Sequence, residues 1–346
     1  MSSLAAAATL RATATIQDVA RSAGVSTATV SRVFSAPDQV AEVTRARVRA
    51  AVADLGYTPN LAAKTLRTLR TDKILVTVPD ISNPFFSQVI RGVEEAATAA
   101  GYAVLLGDTR HEEAREDQYA QMLLRREADG LIFLGHRLPG ALADLVATMG
   151  ARTPIVNGCE FSPGLAVSSA HIDNERAAAE AMSHLYDLGH RRVGVITGPL
   201  ISPISRDRLA GVRHTAIARG HADTLTVVAG DFSIESGAAQ GEVLLAQPTP
   251  PTAIFCFSDE MAMGAMFTIR HLGLSCPRDI SVVGFDDIRF ARYLDPPLTT
   301  VSQPTEQIGH EVVSLLLEIL SGNGAHPRHI TLPHRLIVRS STAAPP

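Results

Sequence analysis

The sequence predicts a small all-α helix-turn-helix headpiece followed by a two-lobed α/β core with parallel sheets. Three observations carry that expectation. Residues 15–34 read as two short helices joined by a tight turn, and from Lys73 onward short β-rich runs alternate with helical stretches. Charge divides along the same line: residues 1–70 hold nine Lys and Arg against four Asp and Glu, and the rest of the chain holds 22 against 31. A basic head on an acidic body is expected where only the head meets a polyanion, although composition bias alone also produces it.

Residues 1–13 contain an apolar stretch, Leu4 to Leu10, with no basic segment in front of it. They read as a disordered lead, not as a secretory signal. Thr15 then caps a first helix, and Asp18 suits its positive end; Ile16, Val19, Ala20 and Ala23 recur at helical spacing. Gly24 tolerates the left-handed conformation of a sharp stop. Ser26 restarts the chain as the cap of a second helix that carries Val30, Val33 and Phe34 inward.

The other face of that second helix presents Thr27, Ala28, Ser31 and Arg32. Small side chains let a helix lie close in the major groove, hydroxyls reach phosphates, and an arginine forks onto guanine O6 and N7. A solvated helical hairpin shows the same residues, so the face by itself leaves both readings open. Thr44 opens a third helix, with Val48, Ala51, Val52 and Leu55 on one side and Gly56 as its stop. Three such helices make a domain of about 45 residues, near the lower limit for independent folding.

The next segment, Leu61 to Arg70, has good helix formers but little to form a core. Taken alone it reads as a linker with Leu66 packed on the body. The alternative is a minor-groove wedge, an apolar side chain between base steps with basic neighbours on phosphates.

Beyond it the runs ILVTVP, YAVLLG, LIFLG and PIVNG form one set of strands, and RRVGVITG, LTVVAGDF, AIFCFSD and ISVVGFDD a second set after residue 172. Near-continuous apolar strands separated by helices argue for parallel sheets covered on both faces, and two sets argue for two lobes. Ligands gather at the carboxyl ends of such strands. Those ends carry Asp80, Asp108, His136, Asn157, Asp231, Phe232, Asp259 and Asp286. Most of these types also serve as helix caps, and Asp259 before EMAMGAM fits that role.

Several chemistries are excluded. No apolar run approaches the ~20 residues that span a bilayer, so no membrane partner is expected. The cysteines Cys159, Cys256 and Cys276 have no metal-type spacing and an odd count, which suits a reducing cytoplasm. No G-x-S-x-G elbow, H-E-x-x-H pair, P-loop or G-x-G-x-x-G turn is present. His326, His329 and His334 sit in a Pro/Gly-rich stretch and read as solvated. No catalytic residue, cofactor or metal is expected, and the chain does not read as an enzyme.

The order of VSTATVSRVF, LGYTPNLAAKTLR and a two-lobed body resembles the LacI/GalR family of bacterial transcription regulators over about residues 14–341. NPFFSQVIRGVEEAA, HIDN, DLGHRRVGVITG, SRDRLAGVR, SDEMAMGAM and SVVGFDDIRFARYLDPPLTTVSQP support the resemblance independently. It implies a headpiece at 14–58, a hinge helix at 59–71 and a periplasmic-binding-protein-like core for effector binding and dimerisation at 72–341. Lobe one would take about 72–170 and 303–330, lobe two about 171–302 and 331–341, and 342–346 would be a tail.

Position by position, the resemblance implies that Thr27, Ala28 and Arg32 read bases, and that Thr15, Ser26, Thr29, Ser31 and Asn60 meet phosphates. It overturns the linker reading in favour of a hinge helix, with Leu66 as the wedge and Ala63, Lys64 and Arg67 beside it in the minor groove. In the core it implies an effector site of Phe85, Phe86, Arg208, Phe232 and Asp286. Asp286 suits vicinal hydroxyls, Arg208 donates a fork, and the rings stack on a base, unless Phe85 and Phe86 simply pack the core.

VPDISNPFFSQVIRGVE, LGHRLP and PTAIFCFSDEMAMGA most resemble the family's nucleoside-responsive members, which implies a nucleoside effector; a sugar or a purine is the alternative. Purine-responsive members carry an Arg and a Thr upstream of the matching arginine, where Ser202, Pro203 and Ile204 stand here. The implied protein is a cytoplasmic homodimer, a ligand-controlled repressor on a palindromic operator in double-stranded DNA. The rival readings are a soluble sugar- or nucleoside-binding protein and an enzyme such as a nucleoside hydrolase on the same kind of scaffold.

Overall fold

The structure is a computed structural model that describes residues 14–58, 70–161 and 165–346. The chain forms two compact units, Met1–Arg70 and Thr71–Pro346. The lead at 1–13 and the hinge positions Asn60, Ala63, Lys64, Leu66 and Arg67 lie outside the described residues.

In the first unit, helices α1 (Ile16–Ala23), α2 (Thr27–Ser35) and α3 (Glu42–Leu55) surround a core of Val19, Ala20, Ala23, Val30, Val33, Val48 and Ala51. Thr15 and Asp18 form a reciprocal capping box: Thr15 Oγ1 accepts from the Asp18 N–H at 3.3 Å, and the Thr15 N–H donates to Asp18 Oδ2 at 3.0 Å. Gly24 ends α1 at φ 61° and Gly56 ends α3 at φ 59°, both left-handed as a short stop requires.

Three expectations for this unit need correction. Helix α3 begins at Glu42 behind Ala41, which makes no side-chain cap, and not at Thr44. Phe34 is 44% exposed, its ring 6.2 Å from that of Tyr57. Leu55, the last residue of α3, is 39% exposed. A core built from Val and Ala is narrow, so Val30 and Val33 fill the inward face of α2 and the larger ring stays at its rim.

In the second unit the strands form two six-stranded sheets. The first holds β1 (Lys73–Val78), β2 (Ala103–Asp108), β3 (Gly130–Phe133), β4 (Ile155–Gly158), β5 (Ser168–Ile172) and β11 (His329–Leu332). Its order is β11-β5-β4-β3-β1-β2, with every pair parallel. The second holds β6 (Val193–Thr197), β7 (Leu225–Ala229), β8 (Ala253–Cys256), β9 (Ser281–Asp286), β10 (Thr299–Ser302) and β12 (Arg335–Ile337). Its order is β12-β10-β9-β8-β6-β7, and only β12 runs antiparallel to its neighbour. Central strands such as β3, β4, β6 and β8 are buried throughout, as near-continuous apolar runs require.

The first sheet is flanked by α4 (Pro84–Ala99), α5 (Glu113–Leu124), α6 (Ala143–Met149) and α11 (Thr305–Leu320), and the second by α7 (Asn174–Asp187), α8 (Pro203–Ala218), α9 (Ile234–Leu245) and α10 (Asp259–His271). Helices α4 and α11 meet backbone to backbone, because a Cβ on Gly92 would stand 2.1 Å from the Glu306 carbonyl oxygen.

The chain crosses between sheets at 172–174, 302–305 and 332–335. Strands β5, β10, β11 and β12 were absent from the apolar runs of the sequence because SSAHI, TTVS, HITL and RLI are short and mixed. At the far end, Thr342 Oγ1 bonds His184 at 3.0 Å and the Ala343 carbonyl bonds His190 at 2.9 Å. His334 is not solvated: its side chain is 7% exposed and its Nε2 meets Glu180 at 3.1 Å.

Candidate functional site

Both sheets reverse their winding, at β1 in the first and β6 in the second, and a cleft of about 760 Å³ opens beside these switch points. Every lining residue stands at or beyond the carboxyl end of a strand, from Pro79 after β1 to Gln303 after β10. Asp80, His136, Asp231, Phe232 and Asp286 are among them, whereas Asp108, Asn157 and Asp259 are not.

Those three strand-end residues have structural work instead. Asp108 pairs with Arg110, and buried Asn157 donates from Nδ2 to the Phe133 and Gly135 carbonyls, each at 3.0 Å. Asp259 is not the cap of α10: Ser258 Oγ accepts the Met261 N–H at 3.1 Å. The fully buried Asp259 carboxylate accepts from Thr300 Oγ1 at 2.5 Å and from the Ile288 N–H at 2.8 Å, tying β10 and the 286–288 turn to α10. Burial, aided by the charge of Asp286, pushes that carboxyl well above the usual range.

The structure brings Phe85, Phe86, Arg208, Phe232 and Asp286 to one cleft. Asn83 Oδ1 accepts the Phe85 N–H at 2.9 Å and starts α4, which aims both rings; they meet edge to face at 5.2 Å. Phe85 is 8% exposed, so it belongs to the core and to the cleft wall together. Phe232 sits at φ 74°, and its ring lies on Gly198, where a Cβ would come within 2.0 Å of it.

Arg208 is 3% exposed and almost fully committed to the protein. Its Nε donates to Asn174 Oδ1 at 2.8 Å and its Nη1 to the Phe257 carbonyl, while the guanidinium lies 3.6 Å over the Phe285 ring. Asp286 Oδ1 is 3.9 Å from Arg208 Nη2 and accepts from Gln303 Nε2 at 2.8 Å. Burial moves both partners toward neutrality: Asp286 is pushed up to about 7 against the pull of Arg208, and Arg208 down to about 10 against the pull of Asp286.

Sequence reasoning missed Glu160, Asn174, Glu260 and Gln303 as members or supports of this cleft. Asn174 and Gln303 stood inside the quoted HIDN and TTVSQP segments, and Glu160 lies two residues past the end of β4. Glu260 was hidden behind the expected cap at Asp259; burial pushes its carboxyl up to about 7. Among the described residues no His, Cys, Asp or Glu cluster could hold a metal ion. No helix among them is long and apolar enough to cross a membrane.

On the first unit, α2 exposes Thr27, Ala28 and Arg32, with Thr29 and Ser31 half-buried beside them. Ser26 Oγ caps the helix by accepting the Thr29 N–H at 3.1 Å, and Thr15 is exposed at the start of α1. On α2, Thr27, Ala28 and Arg32 are therefore accessible, while Val30 and Val33 are anchored in the core.

Comparison with known proteins agrees with both units. The model of the bacterial regulatory proteins, lacI family, matches residues 15–60, and that of the periplasmic binding protein-like domain matches residues 182–342. The HTH-type transcriptional repressor CytR of Escherichia coli is 40% identical over 96% of this chain and 97% of its own. The HTH-type transcriptional repressor PurR of Photobacterium profundum is 36% identical over 95% and 98%. The crystal structure of the Lac repressor dimer bound to operator and the anti-inducer ONPF matches with a TM-score of 0.83 at 31% identity, covering 96% of this chain and 99% of that one. On fold, headpiece and full-length likeness together, the chain belongs to the lacI family of bacterial regulatory proteins, DNA-binding regulators of transcription with a periplasmic-binding-protein-like core.

Proposed function

We propose that this protein is a repressor that binds a roughly palindromic operator as a homodimer in the cytoplasm, with its DNA affinity set by a nucleoside in the core cleft. Thr27, Ala28 and Arg32 read bases, Thr15, Ser26, Thr29, Ser31 and Asn60 hold phosphates, and Ala63, Lys64, Leu66 and Arg67 enter the minor groove. Phe85, Phe86 and Phe232 hold the base, while Asp286 and Arg208 hold the ribose. Differential affinity of the ligand for two core states couples cleft to operator.

The charge of the cleft carries the ligand assignment. Its lining sets the carboxyls of Asp80, Asp231, Glu235, Glu260 and Asp286, beside the protonated acid of Glu160, against only Arg137 and Arg208. Arg137 is already paired with Glu116 at 2.8 Å and Glu113 at 3.5 Å, and Arg208 with Asp286. A phosphorylated ligand would meet net repulsion, whereas hydroxyl donors and an apolar ring face find acceptors and phenyl rings.

A thermal-shift series on the full-length protein tests this. Ligand at 100 times its dissociation constant stabilises by about 2.7 kcal/mol. Nucleosides are expected to shift the transition, and nucleoside monophosphates are not. A shift with sugars alone would discard the nucleoside.

A further inference from the structure

Glu160 stands just after β4, in the lobe built on the first sheet, and lines the cleft while only 7% exposed. Among the described residues a single hydrogen bond reaches its carboxyl: Ser202 Oγ, from the turn after β6 in the other lobe, donates to Oε2 at 3.2 Å. The cations that face it are engaged elsewhere. Arg208 is held by Asn174, the Phe257 carbonyl and Asp286, and Arg206 donates to the Leu200 and Ile201 carbonyls. Asp207 on the same helix adds repulsion, and the neighbouring Cys159 thiol is itself held protonated by burial.

A buried carboxyl without a paired cation keeps its proton, and burial raises that of Glu160 to about 8. In that form it is an O–H donor and a C=O acceptor side by side. The surrounding Asp80, Asp231, Glu235, Glu260 and Asp286 favour positive charge on whatever docks against it.

We propose that Glu160 is the specificity-determining residue of the cleft, reading a heterocyclic edge that sets a basic ring nitrogen beside an exocyclic amino group, as in cytosine and adenine. The inference rests on the nucleoside reading above. The acid O–H donates to the ring nitrogen and the carbonyl oxygen accepts from the amino group. The proton is shared along the O–H···N bond, which lends partial amidinium character to the base and partial carboxylate character to Glu160, with no other atom exchanged. Charge-assisted hydrogen bonds of that kind are roughly twice as strong as neutral ones. A lactam edge, as in uracil or hypoxanthine, also makes two bonds but has no basic nitrogen to take the proton. Ser202 keeps its own bond to Oε2, so the reading carboxyl is steadied from the opposite lobe.

Calorimetric titration of the full-length protein with cytidine, uridine, adenosine, inosine and ribose between pH 6.5 and 9 tests the assignment. The amino-bearing member of each nucleoside pair is expected to bind about tenfold more tightly. The complex needs one shared proton, so cytidine affinity is expected to fall as pH rises through about 8, approaching a factor of ~10 per unit. Glu160→Gln keeps a donor and an acceptor but no transferable proton. It is expected to bind cytidine and uridine alike and to lose the fall in affinity above pH 8, a range beyond Asp286 and Glu260, which burial raises only to about 7. Equal binding within each pair by the unmodified protein, or an unchanged preference and pH profile in Glu160→Gln, overturns the role of Glu160. Ribose binding as tightly as every nucleoside overturns the nucleoside reading and this inference with it.

Discussion

In the headpiece, the residues proposed to read bases, Thr27, Ala28 and Arg32, all stand on one nine-residue helix. The core draws Phe85, Glu160, Arg208, Asp286 and Gln303 to one cleft from strand ends, loops and helices that span the chain from Pro79 to Gln303. The first arrangement depends on helical period and two caps, and the second on the register of two sheets. A helix face can be aligned by local rules alone, whereas a cleft needs every strand before it to pair correctly. The chemistry differs accordingly: the headpiece offers exposed donors to a polyanion, and the core offers buried groups displaced from their ordinary ionisation.

Three substitutions would break or sharpen that contrast. The largest effect is expected from Arg208→Ala, which leaves Asp286, Asn174 and the Phe257 carbonyl without their buried donor. It should destabilise the core by about 3–5 kcal/mol in denaturant unfolding. Amide exchange in α1 to α3 should stay as it was; a parallel loss there would mean that the two units do not fold independently. Arg32→Ala comes next, at about 1–3 kcal/mol of operator affinity, with little change on random DNA. Equal weakening on both would remove base reading from α2 and leave it a phosphate contact. Smallest is Ser26→Ala, which deletes the cap on the Thr29 N–H and should cost about 1 kcal/mol of headpiece stability by amide exchange. Nucleoside affinity should not move; if it does, the cap matters beyond its own helix.

Legibility followed the same division. Thr15, Asp18, Gly24 and Ser26 announced the ends of α1 and α2, because caps act within three residues of themselves. The apolar runs announced eight strands, β1 to β4 and β6 to β9. Phe34 was misread because period tells which side a residue faces but not how wide the core beneath it is. Asp259 was misread because a carboxylate at a helix start looks the same in sequence whether it caps or turns inward to Thr300 and Ile288. Strands β5 and β11 became visible only through their pairing of Ser169 with His329, 160 residues apart. Glu160 carried no local signal beyond its place after a strand; its character comes from Ser202, on the other lobe, and from burial among groups remote in sequence.

By itself the sequence determined the helical headpiece with its polar face, the alternation of strands and helices, and the split of charge between them. These rest on propensity, period and composition, which act over a few residues. Only the tertiary structure decided which strand ends meet, that Arg208 is spent on Asn174, Phe257 and Asp286, and that Glu160 is shut away from water with a partner from the opposite lobe. The physical reason is that desolvation and cross-lobe hydrogen bonding are properties of a site's surroundings, and those surroundings exist only once distant segments have packed together.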